Sequence, residues 1–431
     1  MDSIGRIPSA VPLWHPLSYA LLTVLIALGP GIAHPADPDP PPSKPASALE
    51  KVGAAIGLFR GNVDIDELDA SGETLQGPVI SETEPTAEDP DVAPASFEPF
   101  VAPIPFRSPS LGWGGALTIG AIFRVDPDDV NSPPSTAAVA GFGSENESFG
   151  GVFVFRGHLL EDLFRPRFTF ASGRANYEFF GVGSDAGSRG LSADLRTDFV
   201  IVKVIPLFRL PTADWGRLGR GLYLGPLIEF RHNEHSVRRA PGLPPGFPLP
   251  SFDEDDLGLG FAVERDTRNS TFAPDTGTLF QFNARFFAES LGGNEDYQTY
   301  DFALAGFHEV AFDTILALRG VSRFSGGDVP FNELGQHDLR GYERGRYRDE
   351  VHLAGEVELR RSLFGRFGGV VYAGLGQVGP EIDALESDNL LWSAGFGLRF
   401  QLTKENPLNY RADAGWGRDG FEFYFSLGEE F

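Results

Sequence analysis

The chain of 431 residues contains no cysteine and a single methionine. Without cysteine it has no thiol nucleophile, no disulfide and no cysteine-ligated zinc site. Positive charge is also scarce, because 35 Lys and Arg stand against 60 Asp and Glu, for a formal net charge of -25. Affinity for phosphate depends on clustered Lys and Arg, so this balance disfavours nucleic acid as a partner.

Long hydrophobic runs are missing as well. Apolar residues make up only 42% of the chain, whereas a helical membrane protein needs repeated apolar stretches of about 20 residues. Two residue types are abundant instead, with 38 Phe and 53 Gly. The composition therefore excludes a polytopic helical membrane protein and leaves the excess of Phe and Gly to be explained.

Residues 1–36 have the features of a secretory signal peptide. Arg6 precedes an apolar run over residues 17–28, and small residues lead to Ala33 and Ala36. The run is too short for a transmembrane helix, and polar, proline-rich sequence comes after it. We therefore predict export from the cytoplasm, with an uncleaved membrane anchor as the alternative.

Residues 37–96 form an acidic, proline-rich region that opens with DPDPPPSKP. Such a composition buries too little apolar surface to offset the entropy lost on folding. We predict a mostly disordered periplasmic tail. The ordered part of the chain is then expected to be residues 97–431.

From about Leu111 onward, apolar and polar residues alternate in segments of roughly 9–14 residues, the weak repeating signal of a transmembrane β-barrel. Within residues 278–289 every second residue is apolar: Phe280, Phe282, Ala284 and Phe286. A soluble β-sandwich also alternates, but it would have to bury most of the Phe residues in one core. In a membrane barrel the Phe residues face lipid while Arg, Glu and Gly line the lumen.

We therefore predict that residues 97–431 form an all-β, antiparallel transmembrane barrel. Fifteen candidate strands can be counted between residues 111 and 430, and bacterial single-chain barrels have even strand numbers. The predicted number is sixteen.

The last candidate strand, residues 421–430, leads to the final residue. Its apolar alternation runs through Phe423, Phe425 and Leu427 to Phe431. This pattern resembles the C-terminal recognition signal that the assembly machinery of bacterial outer-membrane barrels reads by strand pairing. Glu429 departs from it, since such signals usually have an apolar residue at that place.

A charged loop between the candidate strands near residues 324 and 350 contains Leu339-Arg340-Gly341-Tyr342. This motif, with five candidate strands after it, resembles the BamA/TamA outer-membrane assembly family, the bacterial surface antigen barrels. Their hallmark is an Arg-Gly-Phe/Tyr motif in the loop before the fifth strand from the end. A second motif is similar to the family's D-x-R-N…P-x-x-G turn: Asp266, Arg268, Asn269 and Gly277.

The resemblance implies that the loop folds back into the lumen, where acidic residues bind Arg340. Glu356 and Glu358, which face inward on the next strand, are the candidate partners. Gly341 would allow a tight turn and Tyr342 would pack on the wall. The family's Phe-x-Asp-x-Gly motif is altered here, because Tyr372-Ala373-Gly374 lacks the aspartate. The alternative is that Arg340 is a solvated loop cation.

Residues 37–96 lack the pattern of a periplasmic POTRA domain, so the resemblance is to a POTRA-less member of the family. It implies a protein of the bacterial outer membrane that aids insertion or translocation of protein or lipid substrates at a lateral seam. No covalent chemistry, enzyme activity, metal or cofactor is expected. The expected partners are outer-membrane lipids, the machinery that recognises the C-terminal strand, and unfolded barrel or lipid clients. A passive channel or a structural, adhesive surface barrel is the alternative.

Overall fold

The computed structural model describes residues 97–108, 111–129, 131–190, 192–211, 219–240, 249–404 and 406–431. The predicted signal peptide and acidic tail, residues 1–96, lie outside the described residues. Within the described ranges, no helix is both long enough and apolar enough to cross a membrane.

Sixteen strands form one antiparallel sheet in which each strand pairs with the next along the chain. The sheet curls until its first and last strands lie side by side. The prediction of a sixteen-stranded antiparallel barrel is confirmed. In chain order the strands are β1 Phe97–Ser108, β2 Gly112–Phe123, β3 Ser135–Ser144, β4 Phe149–Arg156, β5 Phe164–Phe179, β6 Ala193–Arg209, β7 Leu222–Arg239, β8 Ser251–Asp266, β9 Gly277–Phe287, β10 Tyr297–Ala311, β11 Thr314–Gly327, β12 Val351–Phe364, β13 Phe367–Gly379, β14 Leu391–Gln401, β15 Asn409–Gly417 and β16 Gly420–Leu427.

In the part of the chain that the structure describes, helical structure is confined to short connections. The helix α1, Ser184–Arg189, comes after β5 and ends at Gly190 in the left-handed conformation. Three single 3₁₀ turns lie at Glu289–Leu291, Ile382–Ala384 and Ser387–Asn389. Inside the loop between β11 and β12, a separate two-residue antiparallel ladder pairs Gly335–Gln336 with Arg348–Asp349.

Alternation along each strand separates an apolar outer face from a polar inner face. On β12, Val357 and Leu359 are 37% and 43% exposed, while Glu356 and Glu358 are buried. Many of the Phe residues lie on the outside in the same way, as at Phe396 on β14. Because a strand repeats every two residues, one sequence pattern supplies both a lipid-facing band and a charged lumen wall.

The lumen wall is packed with buried ion pairs. Arg285 donates to Asp301 at 2.7 Å and to Glu229 at 3.2 Å. Arg231, which is fully buried, also contacts Glu229. These pairs, within β7 and between strands, offset the cost of removing the charges from water.

The strand absent from the sequence-based count is β1, residues 97–108. It contains Pro99, Pro103 and Pro105, and proline normally argues against a strand. An edge strand tolerates proline where the missing N–H would have pointed away from its neighbour. β1 is such a strand, because it pairs along its full length with β2 alone.

The predicted last strand was too long. β16 ends at Leu427, and Gly428 then turns the chain at a φ of 87°. Phe431 does not continue the outward alternation but is buried inside the barrel against Phe307 and Ile315. The strand was predicted too long because strand alternation does not take into account the buried arginines of the lumen wall, which attract this acidic segment.

Candidate functional site

The loop between β11 and β12, residues 328–350, lies inside the barrel and is called the lumen loop. Its two-residue ladder closes the loop at its base. Most of its side chains are buried, although several are charged or polar. The buried ones include Phe331, Asn332, Glu333, Leu334, His337, Leu339, Arg340, Tyr342, Tyr347 and Arg348.

Arg340 lies at the centre of the loop's contact with the wall. Its Nη1 donates to Asp413 Oδ2 at 2.9 Å. Its Nη2 donates to Glu356 Oε1 at 2.6 Å and also to Glu358. The guanidinium carbon lies 3.4 Å from the centre of the Tyr372 ring. We call Arg340, Glu356, Glu358 and Asp413 the Arg340 clamp; charge-assisted bonds of this kind are the strong ones.

The structure thus brings Arg340 together with both predicted glutamates and adds two residues that the sequence did not single out. Tyr372 begins the altered motif Tyr372-Ala373-Gly374, and its ring covers the guanidinium of Arg340. The third carboxylate comes from Asp413 on β15. Its inward position could be read from the alternation with Arg411, but its partner depends on how distant strands are arranged around the lumen.

Gly341 and Tyr342 fix the tip of the lumen loop against the last strands. Gly341 has a φ of 103°, and a Cβ atom there would lie 2.6 Å from the carbonyl carbon of Trp416. Its N–H donates to Tyr424 Oη at 2.8 Å. Tyr342 Oη donates to the carbonyl of Trp392 at 2.7 Å. Only glycine fits this close approach in the left-handed region.

We expect Gly341→Ala to displace the loop tip and lower the apparent unfolding temperature, measured as loss of the folded band in SDS–PAGE after heating. The substitution combines backbone strain with a steric overlap, and each contributes about 1–3 kcal/mol. Gly365→Ala is the matched control, because Gly365 also has a positive φ, 57°, but has no atom within 4 Å of a Cβ position. Equal effects of the two substitutions would contradict a tightly seated tip.

A second anchor holds the other half of the lumen loop. Glu333 is fully buried and forms an ion pair with Arg231 on β7. The charges are reversed relative to the Arg340 clamp, since here the loop provides the acid and the wall provides the cation. Neither residue was predicted as part of the site. Their pairing joins positions about 100 residues apart in sequence, and alternation gives only the inward direction of Arg231.

Glu343, beside the loop tip, is a loop acid whose pKa lies well above its ordinary value. Burial and the nearby charge of Glu178 raise the pKa of its carboxyl to about 7. Arg346 opposes this shift and Glu422 adds to it. The carboxyl is therefore expected to change charge near neutral pH.

We expect stability to fall as pH rises from 5 to 8, in part through Glu343. Below its ordinary pKa of 4.5 the carboxyl is protonated in both states, and its full stabilising contribution is present. Between 4.5 and about 7 the unfolded chain loses this proton while the folded protein keeps it, so stability declines with pH. The apparent unfolding temperature of Glu343→Gln should change less between pH 5 and 8. An identical pH profile in both proteins would contradict this expectation.

The turn motif between β8 and β9 closes the other end of the barrel. Arg268 donates to both oxygens of Asp266, at 3.0 and 3.1 Å. Asn269 Nδ2 donates to Asp275 at 2.7 Å. Gly277 has a φ of 101°, and a Cβ there would lie 2.3 Å from the carbonyl oxygen of Thr267. The motif therefore fixes a rigid turn.

Phe272 extends from this turn to the opposite wall. It is 4% exposed and packs in one cluster with Phe100 of β1, Leu408 before β15 and Leu427 of β16. The turn thus covers the lumen on the side where the first and last strands meet. Sequence reasoning did not identify Phe272, because nothing local distinguishes it from the lipid-facing phenylalanines.

The junction between β1 and β16, called the seam, differs from all other strand junctions. Among the described residues, no backbone ladder joins these two strands. Side chains instead link β1 to β15 and to the connection before it. Tyr410 Oη donates to the carbonyl of Pro103 at 3.0 Å, and the Glu98 carboxylate accepts the N–H groups of Lys404 and Asn406 at 2.7 and 3.0 Å.

The three prolines of β1 explain the missing ladder. β1 pairs with β2 without a break from Phe97 to Ser108. An unbroken antiparallel ladder requires the prolines to occupy the positions whose N–H would point away from β2. Pro99, Pro103 and Pro105 share one parity, so all three missing donors lie on the edge that faces β16.

Residues 428–431, the terminal segment, enter the lumen beside the Arg340 clamp. Arg399 Nε donates to the two Glu429 oxygens at 2.8 and 2.7 Å. Arg360 Nη2 donates to the main-chain oxygen of Phe431 at 2.9 Å. Phe423, by contrast, stays on the outer face of β16 and is 53% exposed.

Part of the chain matches a known protein family, and several solved structures are similar to the chain. Residues 229–431 match the Omp85 superfamily domain. The chain is similar to the crystal structure of BamA from Haemophilus ducreyi lacking POTRA domains 1–3, at 11% identity, a TM-score of 0.48, and coverage of 87% of this chain and 81% of that chain. None of the curated proteins searched matches the chain.

Two CdiB structures are also similar. CdiB from Escherichia coli has 14% identity and a TM-score of 0.50, with coverage of 77% of this chain and 62% of that chain. For CdiB from Acinetobacter baumannii the values are 12%, 0.47, 77% and 59%. The chain therefore spans about three fifths of the CdiB chains, and at these identities the likeness concerns the fold alone.

The predicted relationship to assembly-type barrels is confirmed at the level of the superfamily. The matched region contains the lumen loop, the Arg340 clamp and the terminal segment. The sixteen-stranded barrel thus carries, over residues 229–431, a match to the Omp85 superfamily domain.

Proposed function

We propose that this barrel aids insertion or translocation of protein or lipid substrates at the seam, without covalent chemistry. The observation that carries the proposal is the unladdered junction between β1 and β16 in a sheet where every other neighbouring pair forms a ladder. Unpaired backbone groups in a lipid environment are costly. A strand edge of this kind favours pairing with another polypeptide segment.

Strand lengths also support the seam as the place where substrates enter the membrane. β16 has 8 residues, β15 has 9 and β4 has 8, whereas β6 and β7 on the far side have 17 and 18. A transmembrane strand needs about 9–11 residues. The wall is therefore short on the β16 side of the seam, whereas β1 on the other side has 12 residues. A thinner bilayer beside β16 would lower the cost of inserting polar backbone.

The buried lumen loop argues against a passive channel. The loop is held by Arg340 on one side and by Glu333 on the other, and Phe272 packs across the opposite end. In a planar bilayer we expect the purified protein to show small, flickering conductance. A steady, large conductance of the unaltered protein would favour the channel alternative.

The proposed partners are suggested by the exposed surface and the seam. The apolar outer band contacts outer-membrane lipids, and unfolded barrel segments or lipids are the proposed clients. Phe423 and Phe425 remain on β16, as a signal read by strand pairing requires, while Leu427 ends the strand. Phe431 has left that strand, so the proposed signal is shorter than the sequence pattern.

The test of the proposed function is depletion of the protein in its native cell, with comparison of the outer-membrane proteome and lipids before and after. We expect a defined set of barrels or lipids to be lost and then restored by the unaltered gene. An unchanged membrane composition after depletion would contradict the proposal.

A further inference from the structure

Two carboxylates of the barrel wall are shared between the lumen loop and the residues that hold the terminal segment. Glu358 accepts Arg340 on Oε1 and Arg360 Nε on Oε2, the latter at 2.7 Å. Asp413 accepts Arg340 Nη1 on Oδ2 at 2.9 Å and Arg399 Nη1 on Oδ1. Each acid therefore binds the loop with one oxygen and a wall arginine with the other.

The same two wall arginines bind the terminal segment. Arg360 donates to Phe431, and its guanidinium lies 4.8 Å from the Phe431 ring centre. Arg399 binds Glu429, which is 1% exposed. Two continuous paths thus join loop and segment, one through Glu358 and Arg360 and the other through Asp413 and Arg399.

We propose that the terminal segment is a latch that stays in the lumen only while Arg340 is seated in its clamp. Without Arg340, the buried cluster loses a cation while keeping the acids Glu356, Glu358 and Asp413. Uncompensated buried charge is unfavourable. Of the acids in the cluster, Glu429 and Glu430, which is bound by Arg411, alone lie outside a strand, after the turn at Gly428. Withdrawal of this segment therefore relieves the excess negative charge.

The coupling acts in both directions. When the terminal segment leaves, Arg360 and Arg399 lose Phe431 and Glu429 and bind Glu358 and Asp413 more strongly. They then compete with Arg340 for the same two acids. Coupling between two bound groups is reciprocal by thermodynamic necessity.

The latch connects the lumen to the seam because the terminal segment continues β16. Gly428 turns the chain inward, and its N–H donates to the carbonyl of Asn409 at 2.8 Å. Once the segment is released, the end of β16 is free to straighten beside β1. The position of the lumen loop therefore controls the seam, whichever substrate the barrel handles.

Thiol labelling tests the latch, because the chain has no cysteine and each introduced residue is the sole thiol. Phe431→Cys reports on the terminal segment in the full chain. In this background Arg340→Ala is expected to raise the maleimide labelling rate about tenfold, a typical size for coupled sites. Gly341→Ala, which displaces the loop without changing charge, should raise it as well.

Arg346→Ala is the matched control for the loop. Arg346 also lies on the lumen loop but donates to the carbonyl of Gly187 and contacts neither shared carboxylate. Its removal should leave Phe431→Cys labelling unchanged. All rates are compared only for protein that runs as the folded band in unheated SDS–PAGE, so that misfolded barrels do not contribute.

The reverse direction uses Leu339→Cys, a loop position that is 3% exposed. Glu429→Gln should increase its labelling by a similar factor, while Glu98→Gln, which removes a contact of β1 outside both paths, should not. The proposal is overturned if Arg340→Ala and Gly341→Ala leave Phe431→Cys protected, or if Glu429→Gln leaves Leu339→Cys protected. It is equally overturned if the controls Arg346→Ala or Glu98→Gln raise labelling as much.

Discussion

Replacement of Arg340 by alanine is expected to turn a small, flickering conductance into a steady ionic pathway and to destabilise the barrel. The substitution leaves Glu356, Glu358 and Asp413 buried without the cation that binds all three. Breaking a buried ion pair by removing one partner costs about 3–5 kcal/mol. Conductance is measured in planar bilayers, and stability is measured as the temperature at which the folded band is lost.

Two further variants define the cause of this effect. Arg340→Lys should recover only part of the stability, because an ammonium group lacks the planar fork that binds several carboxylates at once. Arg346→Ala should have a small effect, since Arg346 is half-buried and lies away from the clamp. If Arg340→Ala changes neither conductance nor stability, the loop is held mainly by the Glu333–Arg231 pair, and the importance given to the clamp is wrong.

Simultaneous replacement of Pro99, Pro103 and Pro105 by threonine is expected to close the seam. The change restores three N–H donors on the edge of β1 that faces β16. Each new hydrogen bond adds about 0.5–1.5 kcal/mol, so the three together should stabilise the barrel by about 2–4 kcal/mol. Hydrogen exchange of the Val101 amide, which lies on the same edge between the prolines, should slow as the ladder forms.

The same triple variant separates stability from function. If the seam is where substrates enter the membrane, the closed barrel should be more stable yet should fail to restore the depleted outer membrane. Pro226→Thr is the control, because Pro226 is exposed on the outer face of β7, which forms a ladder with β8. A triple variant that shows slowed exchange and full complementation would contradict the proposed role of the seam.

Strand periodicity accounted for much of the lumen wall. The two-residue repeat of β12 placed Glu356 and Glu358 inside, next to the loop that carries Arg340. The same rule gives Asp413 an inward position on β15, but it does not say which inward residues meet. Which inward residues meet depends on how the strands are arranged around the barrel. The ion pair between Glu333 and Arg231 was missed for the same reason.

Two departures from the predicted strands also have physical causes. β1 was overlooked because Pro99, Pro103 and Pro105 count against a strand unless one of its edges is unpaired. The last strand was predicted too long because the alternation continues to Phe431, although Gly428 turns the chain and Arg360 and Arg399 bind the terminal segment inside the lumen. In both cases the outcome depended on a part of the barrel that is distant in sequence. For β1 it was the junction with β16, and for the last strand it was the pair of lumen arginines.

The sequence by itself determined that the chain forms a barrel with an apolar outer face, because a period of two needs no knowledge of distant neighbours. It also marked the loop around Arg340 and the turn around Asp266 as motifs. Only the tertiary structure decided which carboxylates bind Arg340, that β1 and β16 meet without a ladder, and that Phe431 lies in the lumen. These contacts depend on closure of the sheet, which brings together residues that are far apart in the chain.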